Sequence, residues 1–201
     1  GDALIKAAKQ IATDNQVSSI HFTFCTDREV EQSKNWNLLS RKNLQYHWYN
    51  KNYKDFNDFL VALSSRKRKA IKKERLVALQ FGGKISQLTG NDITSNLWDS
   101  FWAFYQDTGA RKWGVPYLTR SFFDIIQDKM RDDVLLVLAD RGGKHIAAAL
   151  NFIGKDTLFG RYWGCCEDHS CLHYELCYYQ AMDYALEKKL LKVEAGAQGE
   201  H

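Results

Sequence analysis

A chain of 201 residues that is 45% hydrophobic and 13% aromatic can bury a core, which excludes the disordered and low-complexity classes. Its 28 Lys and Arg against 24 Asp and Glu leave a formal charge of +4, too mild to mark a nucleic-acid protein by itself, so any preference for anions must come from clustering. Five cysteines are an odd number in a chain too large to need staples, which points to reduced thiols and a cytoplasmic setting; no apolar run approaches the roughly 20 residues of a membrane span.

Asp2 can cap an amphipathic helix, ALIKAAKQIATDN, and VSSIHFTF (Val17 to Phe24) reads as a strand rich in β-branched and aromatic residues. Thr26 opens a second short helix, and NLQYHWY (Asn43 to Tyr49) reads as a second strand. From Asp55 to about Leu79 the pattern predicts one long helix, apolar at Phe56, Phe59, Leu60 and Leu63 and basic through SSRKRKAIKKERL. Gly82 and Gly83 end it, and Lys84 to Leu88 is a short strand. Asp92 or Thr94 begins a helix through TSNLWDSFWAFYQDTG; the loop ARKWGVPYL, with the only proline, precedes a helix from Thr119 to Met130. Three strands follow at hairpin spacing, Val134 to Ala139, Ile146 to Ile153 and Thr157 to Trp163, joined by the glycine-bearing turns DRGGK and GKD. A helix from Leu172 to Lys189 and a strand from Leu191 to Glu194 close the order, which suits a mixed α/β sheet covered by helices.

The segments SSRKRKAIKKERL, FYQDTGARKWGVPYLTRSFFD, AAALNFIG, LFGRYWG and LHYELCYYQAMDYALEKKLLKVEAGAQGEH resemble the FemAB-like N-acyltransferases of the GNAT superfamily, bacterial proteins often labelled as peptidoglycan biosynthesis or recognition proteins. The resemblance implies a GNAT-like α/β fold and a parent protein nearly twice this length with two GNAT-like halves. Residues 1–50 would then be the end of the first half, and 51–201 the second, cut near its closing motif GAQGEH.

Acyl transfer to an amine needs a base, donors for the oxyanion and an acid for the leaving group. Glu194, at a strand end before Gly196, Gln198 and Gly199, is the leading candidate base, with Gln198, Gly199, Glu200 and His201 as substrate contacts; the same Gly-x-x-Gly could instead be a solvated turn. His173 begins a helix, where the dipole keeps an imidazole neutral and able to accept a proton, with Cys177 and Gln180 on its face; it could equally be a core histidine bonded to backbone. In Arg161-Tyr162-Trp163, strand alternation turns Arg161 and Trp163 to one face and Tyr162 to the other, so only one set should look into a cleft. RYWGCC lies one residue from a coenzyme A pyrophosphate signature, but it falls within a strand. Arg111, Lys112 and Trp113 in the proline loop could grip an acyl donor, or Trp113 could plug the core.

The basic run offers Arg66, Arg68, Lys69 and Lys72 as anion contacts, for a nucleotide-linked donor, a transfer RNA end or a lipid pyrophosphate, or as a solvated helix face. The crowd of Cys165, Cys166, His169, Cys171, His173 and Cys177 has no C-x-x-C pair, so no metal is expected. The resemblance implies an N-acyltransferase, with Glu194, His173 and Tyr162 as candidate catalytic groups. It implies an acyl-coenzyme A or an aminoacyl transfer RNA as donor and a peptidoglycan precursor as acceptor, and an exposed first-half surface would favour self-association. The alternative is a non-catalytic module of the same fold that recognises such a precursor or another anion.

Overall fold

The computed structural model describes residues 1–42, 44–112 and 116–196. The chain divides into two compact units, Gly1–Asn43 and Leu44–His201.

In the first unit, helices Asp2–Asp14 (α1) and Asp27–Ser33 (α2) bury no residue completely. A reciprocal capping box starts α2: the Glu29 N–H donates to Thr26 Oγ1 while the Thr26 N–H donates to the Glu29 carboxylate at 2.8 Å. The indole of Trp36 donates to Asp2 at 3.1 Å. The strand expected at Val17 to Phe24 is not formed. A strand persists only beside a partner, and no described strand pairs with this stretch, which runs irregularly and leaves Phe22 and Phe24 exposed.

In the second unit the described strands form one sheet in the order β1-β6-β5-β4-β3-β2. They are His47–Tyr49 (β1), Lys84–Thr89 (β2), Val134–Arg141 (β3), Lys144–Ile153 (β4), Thr157–Cys165 (β5) and Lys192–Glu194 (β6). All neighbours are antiparallel except β5 and β6, which run parallel. Strand β1 is shorter than the sequence pattern indicates; it lies at the edge, with His47 opposite Glu194 and Trp48 opposite Val193.

The central strand β3 shows why the sheet is covered on both sides. Val134 to Leu138 are all buried, as a strand between two helical layers requires. Leu135, Val137 and Ala139 face Leu172, Leu176, Ala181 and Ala185. Val134, Leu136 and Leu138 face Trp98, Phe101, Phe123 and Ile126 of helices Ser95–Lys112 (α5) and Arg120–Met130 (α6). The Trp98 indole, stacked on Phe123 at 5.5 Å, donates to Gln127 at 2.9 Å and so ties α5 to α6.

Two expected helices are interrupted. The long one breaks into Phe56–Val61 (α3) and Ser65–Ala78 (α4) because each has its own cap: Asp55 accepts from the Asp58 N–H at 2.8 Å, and Ser64 from the Lys67 N–H at 3.4 Å. The last helix starts at Leu172–Tyr174 (α7), widens into a π turn at Glu175–Tyr179, and resumes as Gln180–Glu187 (α8).

A buried charge network holds α4 against that turn. Glu175, 1% exposed, accepts from Arg75 Nε at 3.1 Å, from Arg75 Nη2 at 2.9 Å and from Gln180 at 2.8 Å. The same Nη2 reaches Asp183 at 2.6 Å, and the guanidinium lies 4.4 Å from the Phe56 ring centroid. Burial opposes the Arg75 charge, but Asp183 and Glu175 together raise its pKa, so it stays ionised. One further bond reinforces the contact, from the Tyr179 hydroxyl to Glu74. Removing one partner would strand a buried charge. Arg75→Met should cost about 3–5 kcal/mol by urea denaturation, and Arg75→Met with Glu175→Gln less than the sum of the two single changes. A loss below about 1 kcal/mol for Arg75→Met would show that solvent already screens the pair.

Candidate functional site

Strand β6 pairs with β5 only along Thr157, Leu158 and Phe159. Beyond Phe159, β5 runs on to Cys165 with no described partner on that side, and the gap is a cleft of about 440 Å³. Two features open it. A bulge between Leu150 and Asn151 sets Leu150 opposite Tyr162 and Asn151 opposite Gly160, leaving Arg161 as the extra residue. At Gly160 a Cβ would stand 3.1 Å from the Glu194 carbonyl oxygen and 3.5 Å from Asn151 Oδ1, so glycine lets the β6 backbone and the Asn151 side chain come close where the strands part.

The cleft passes through the sheet, and each face supplies a wall. On the α5 side, Tyr105, Thr108 and Gly109 meet Tyr162, whose ring lies 5.2 Å from that of Tyr105 and whose hydroxyl is 2.5 Å from that of Tyr117. On the opposite side, the His173 ring sits edge-on to Trp163 at 5.1 Å and to Tyr178 at 5.6 Å, with Cys177 beside it. The floor holds Asn151, 1% exposed, whose amide donates to the Leu135 and Ala149 carbonyls at 3.4 Å each. Thr108 Oγ1 is buried and has no hydrogen-bond partner among the described residues, so a polar group is available at the cleft wall.

Burial first, then the hydrogen bond to Tyr117, pushes the Tyr162 phenol far above its ordinary value, so it stays protonated and can act as a donor, not as a base. Arg161 lines the mouth, its guanidinium 5.4 Å from the Phe159 ring centroid. A second depression, of about 370 Å³, is formed by the single charged segment Asp128 to Asp133 and gathers no groups from another element.

Several candidate residues meet here and others do not. His173, Arg161 and Tyr162 line the cleft together. The expectation that only one set of Arg161, Tyr162 and Trp163 could reach it is corrected: the bulge and the open edge expose both faces of β5. The carboxylate of Glu194, the leading candidate base, is not in the cleft wall. It shares a strand face with Lys192, whose ammonium it accepts from at 2.8 Å, and lies 3.8 Å from His47 across the ladder. Only its backbone borders the opening. Gln180 is also outside the cleft, its side chain tied to Glu175 and Gln87 inside the network. The Arg111 guanidinium is engaged by Asp107 at 2.5 Å and by the Cys165 carbonyl at 3.5 Å. Lys112 ends α5, while Trp113, Gln198, Gly199, Glu200 and His201 lie outside the described residues. Arg66, Lys69 and Lys72 are exposed on α4, Arg68 is half-buried, and none of them is in the cleft wall. Asn151 and Gly160 were not singled out from the sequence, although a lone polar residue in AAALNFIG and a glycine inside a strand are both visible there.

A family model for FemAB-like proteins, described as peptidoglycan biosynthesis/recognition, matches residues 1–201. The chain belongs to the FemAB-like family. No curated protein matches it. Among solved structures, FemX superposes with a TM-score of 0.58 at 14% identity, over 100% of this chain and 70% of FemX. A conserved Bacteroides thetaiotaomicron protein of unknown function gives 0.56 at 10% identity, over 98% and 68% of the two chains. The C-terminal domain (DUF2156) of an Agrobacterium fabrum protein described as a lysylphosphatidylglycerol synthetase gives 0.54 at 10% identity, over 77% and 46%. At these identities the likeness is one of fold, and the mixed α/β fold shared with FemX is the one that the family resemblance implies. No helix among the described residues is long and apolar enough to cross a membrane.

The tyrosines give a readout of this environment. Burial is the leading cause that raises the pKa of Tyr162, Tyr179 and Tyr184. An unfolded chain releases tyrosine protons near pH 10 while the native state keeps these three, so the unfolded state binds fewer protons and stability falls as pH rises past about 10. Tyrosinate absorbance should therefore rise in two steps, the second coinciding with loss of folded circular dichroism. A single step near the ordinary value, with structure retained, would show these hydroxyls to be solvated.

Proposed function

We propose that the chain transfers an acyl or aminoacyl group to an amine carried by a peptidoglycan precursor. The observation that supports this reading most is the parting of β5 from β6 at Gly160, which leaves a through-sheet cleft where a donor entering by one face can meet an acceptor entering by the other. Membership of a family described by peptidoglycan biosynthesis supplies the acceptor class, and the DUF2156 domain named for lysylphosphatidylglycerol synthesis is in keeping with aminoacyl chemistry.

Within this reading His173 accepts the proton that the attacking amine loses, a role that passes to it because the Glu194 carboxylate is held by Lys192 outside the cleft. Its edge-on aromatic neighbours Trp163 and Tyr178 fix the ring plane and exclude water from one side. The protonated Tyr162 hydroxyl donates to the oxyanion or the leaving group. Thr108 and Asn151 orient the acyl chain from the α5 wall and the floor. An acyl-coenzyme A thioester and an aminoacyl ester of transfer RNA both present the carbonyl that this arrangement needs.

The reading is tested by incubating the protein with each donor class and a muropeptide amine, and following the new amide by mass spectrometry. His173→Ala should lower turnover by roughly two to four orders of magnitude, with a smaller loss of about 1 kcal/mol in stability from its ring contacts with Trp163 and Tyr178. Tyr162→Phe should lower turnover by about one to two orders with little change in KM. Precursor binding without turnover, unaffected by His173→Ala, would replace catalysis with the binding-module alternative.

A further inference from the structure

Helix α4 is charged in a way that its own stability does not favour. Its first turn holds Arg66, Lys67 and Arg68 with no acid, although the positive end of the helix dipole makes that turn the place for carboxylates. Arg66, Lys67, Lys69, Lys72 and Lys73 are exposed, and none forms an ion pair with a described residue. Elsewhere in the unit cations are widely neutralised: Arg111 by Asp107, Arg120 by Asp99 and Asp124, Arg141 and Lys144 by Glu167, and Lys192 by Glu194.

At about 100° per residue, Arg66, Lys69, Lys73 and Leu76 fall within an arc of about 80°, with Lys72 at its edge. Ile71, Arg75 and Ala78 lie on the opposite side, which is the side that packs inward. The outward arc therefore reads as cations followed by Leu76, 67% exposed, and the C-cap residue Leu79, 54% exposed, extends the apolar surface at that end of the helix.

We propose that this outward face of α4 docks on the surface of an anionic phospholipid bilayer. Lysines act as point charges that suit mobile headgroups, and the leucines beyond them gain by entering the boundary of the acyl layer. On the outward arc Arg66 is the one arginine, and the arc has no aromatic, Asn or Gln, so it offers little to stack on or read a base, and a nucleic acid is the less suited source of phosphate. Docking also has a geometric consequence. The Arg75–Glu175 pair fixes α4 to the turn that follows His173, so a bilayer bound at α4 holds the cleft at a set orientation above it.

The test is co-sedimentation of the chain with vesicles of phosphatidylglycerol and phosphatidylcholine, or phosphatidylcholine alone, at low and high salt. Binding should require phosphatidylglycerol and be released by salt, as the screening length shortens. Lys69→Gln with Lys73→Gln should lower the partition coefficient about 25-fold, roughly fivefold per charge. Leu76→Ser should lower it several-fold without changing the salt slope, which separates insertion from charge. Arg66→Glu with Lys69→Glu should abolish binding while the melting temperature holds or rises, since an acid at Arg66 relieves the clash with the helix dipole. Equal binding to neutral vesicles, or binding unchanged in the Lys69/Lys73 variant, would overturn the proposal. So would tighter binding to a structured RNA that displaces the vesicles and depends on the same lysines. If a variant fails to fold, the lipid and salt dependence of the unmodified chain still decides.

Discussion

The contact between Arg75 and Glu175 sets the geometry of one wall of the cleft. It joins residues 100 apart in sequence and takes a carboxylate out of water, with Glu175 2% exposed at its side chain. Two ions in such a place are tolerable only with full hydrogen bonding, and here the fork of the guanidinium, the Gln180 amide and the Asp183 carboxylate supply it. The π turn falls on Glu175 itself, so the residue that widens the helix is also the one anchored from outside. His173, two residues before it, and Cys177 and Tyr178 within the turn are presented to the cleft from this anchored segment.

The opposite wall rests on a different constraint. Among the described residues, the short β6 pairs with only the first three residues of β5, and none pairs with that edge after Phe159. In most sheets an open edge is a liability. Here the bulge at Arg161 and the aromatic side chains of Tyr105, Tyr162 and Trp163 line it, and α5 closes one side, its backbone approaching so near that a Cβ at Gly164 would lie 2.6 Å from Phe104. An interruption in pairing has become an internal space with chemistry on both sides.

Much of this architecture was legible in the sequence. The run Val134 to Ala139 read as a strand, the glycine-bearing turns fixed the β3-β4-β5 meander, and His173 with Cys177 marked one helix face. What failed did so for tertiary reasons. Val17 to Phe24 has strand composition but no partner strand, and composition cannot supply one. The π turn is anchored by Arg75, far away in sequence. For Glu194, alternation fixed which residues share its face but not how its carboxylate would be engaged; Lys192, two residues earlier on the same face, holds it. Arg75 stands in the same basic run as the exposed lysines, and only its position on the helix, which turns it toward Glu175, sets it apart.

The π turn also changes how relatives should be compared. In a helix of 3.6 residues per turn, a π turn is the trace of one added residue, which rotates all that follows by about 100° relative to all that precedes. The segments before and after the turn are therefore in different phases: both bury residues in the core, Leu172 on one side of it and Ala181 and Ala185 on the other, as does Leu176 within it, while His173, Cys177 and Tyr178 are turned to the cleft. A homologue shorter by a single residue between Glu175 and Tyr179 would still look helical and equally apolar in an alignment, yet would turn its histidine away from Trp163. Within this family, a one-residue gap at that point would carry more functional information than many substitutions, because it decides which column of the alignment faces the substrate.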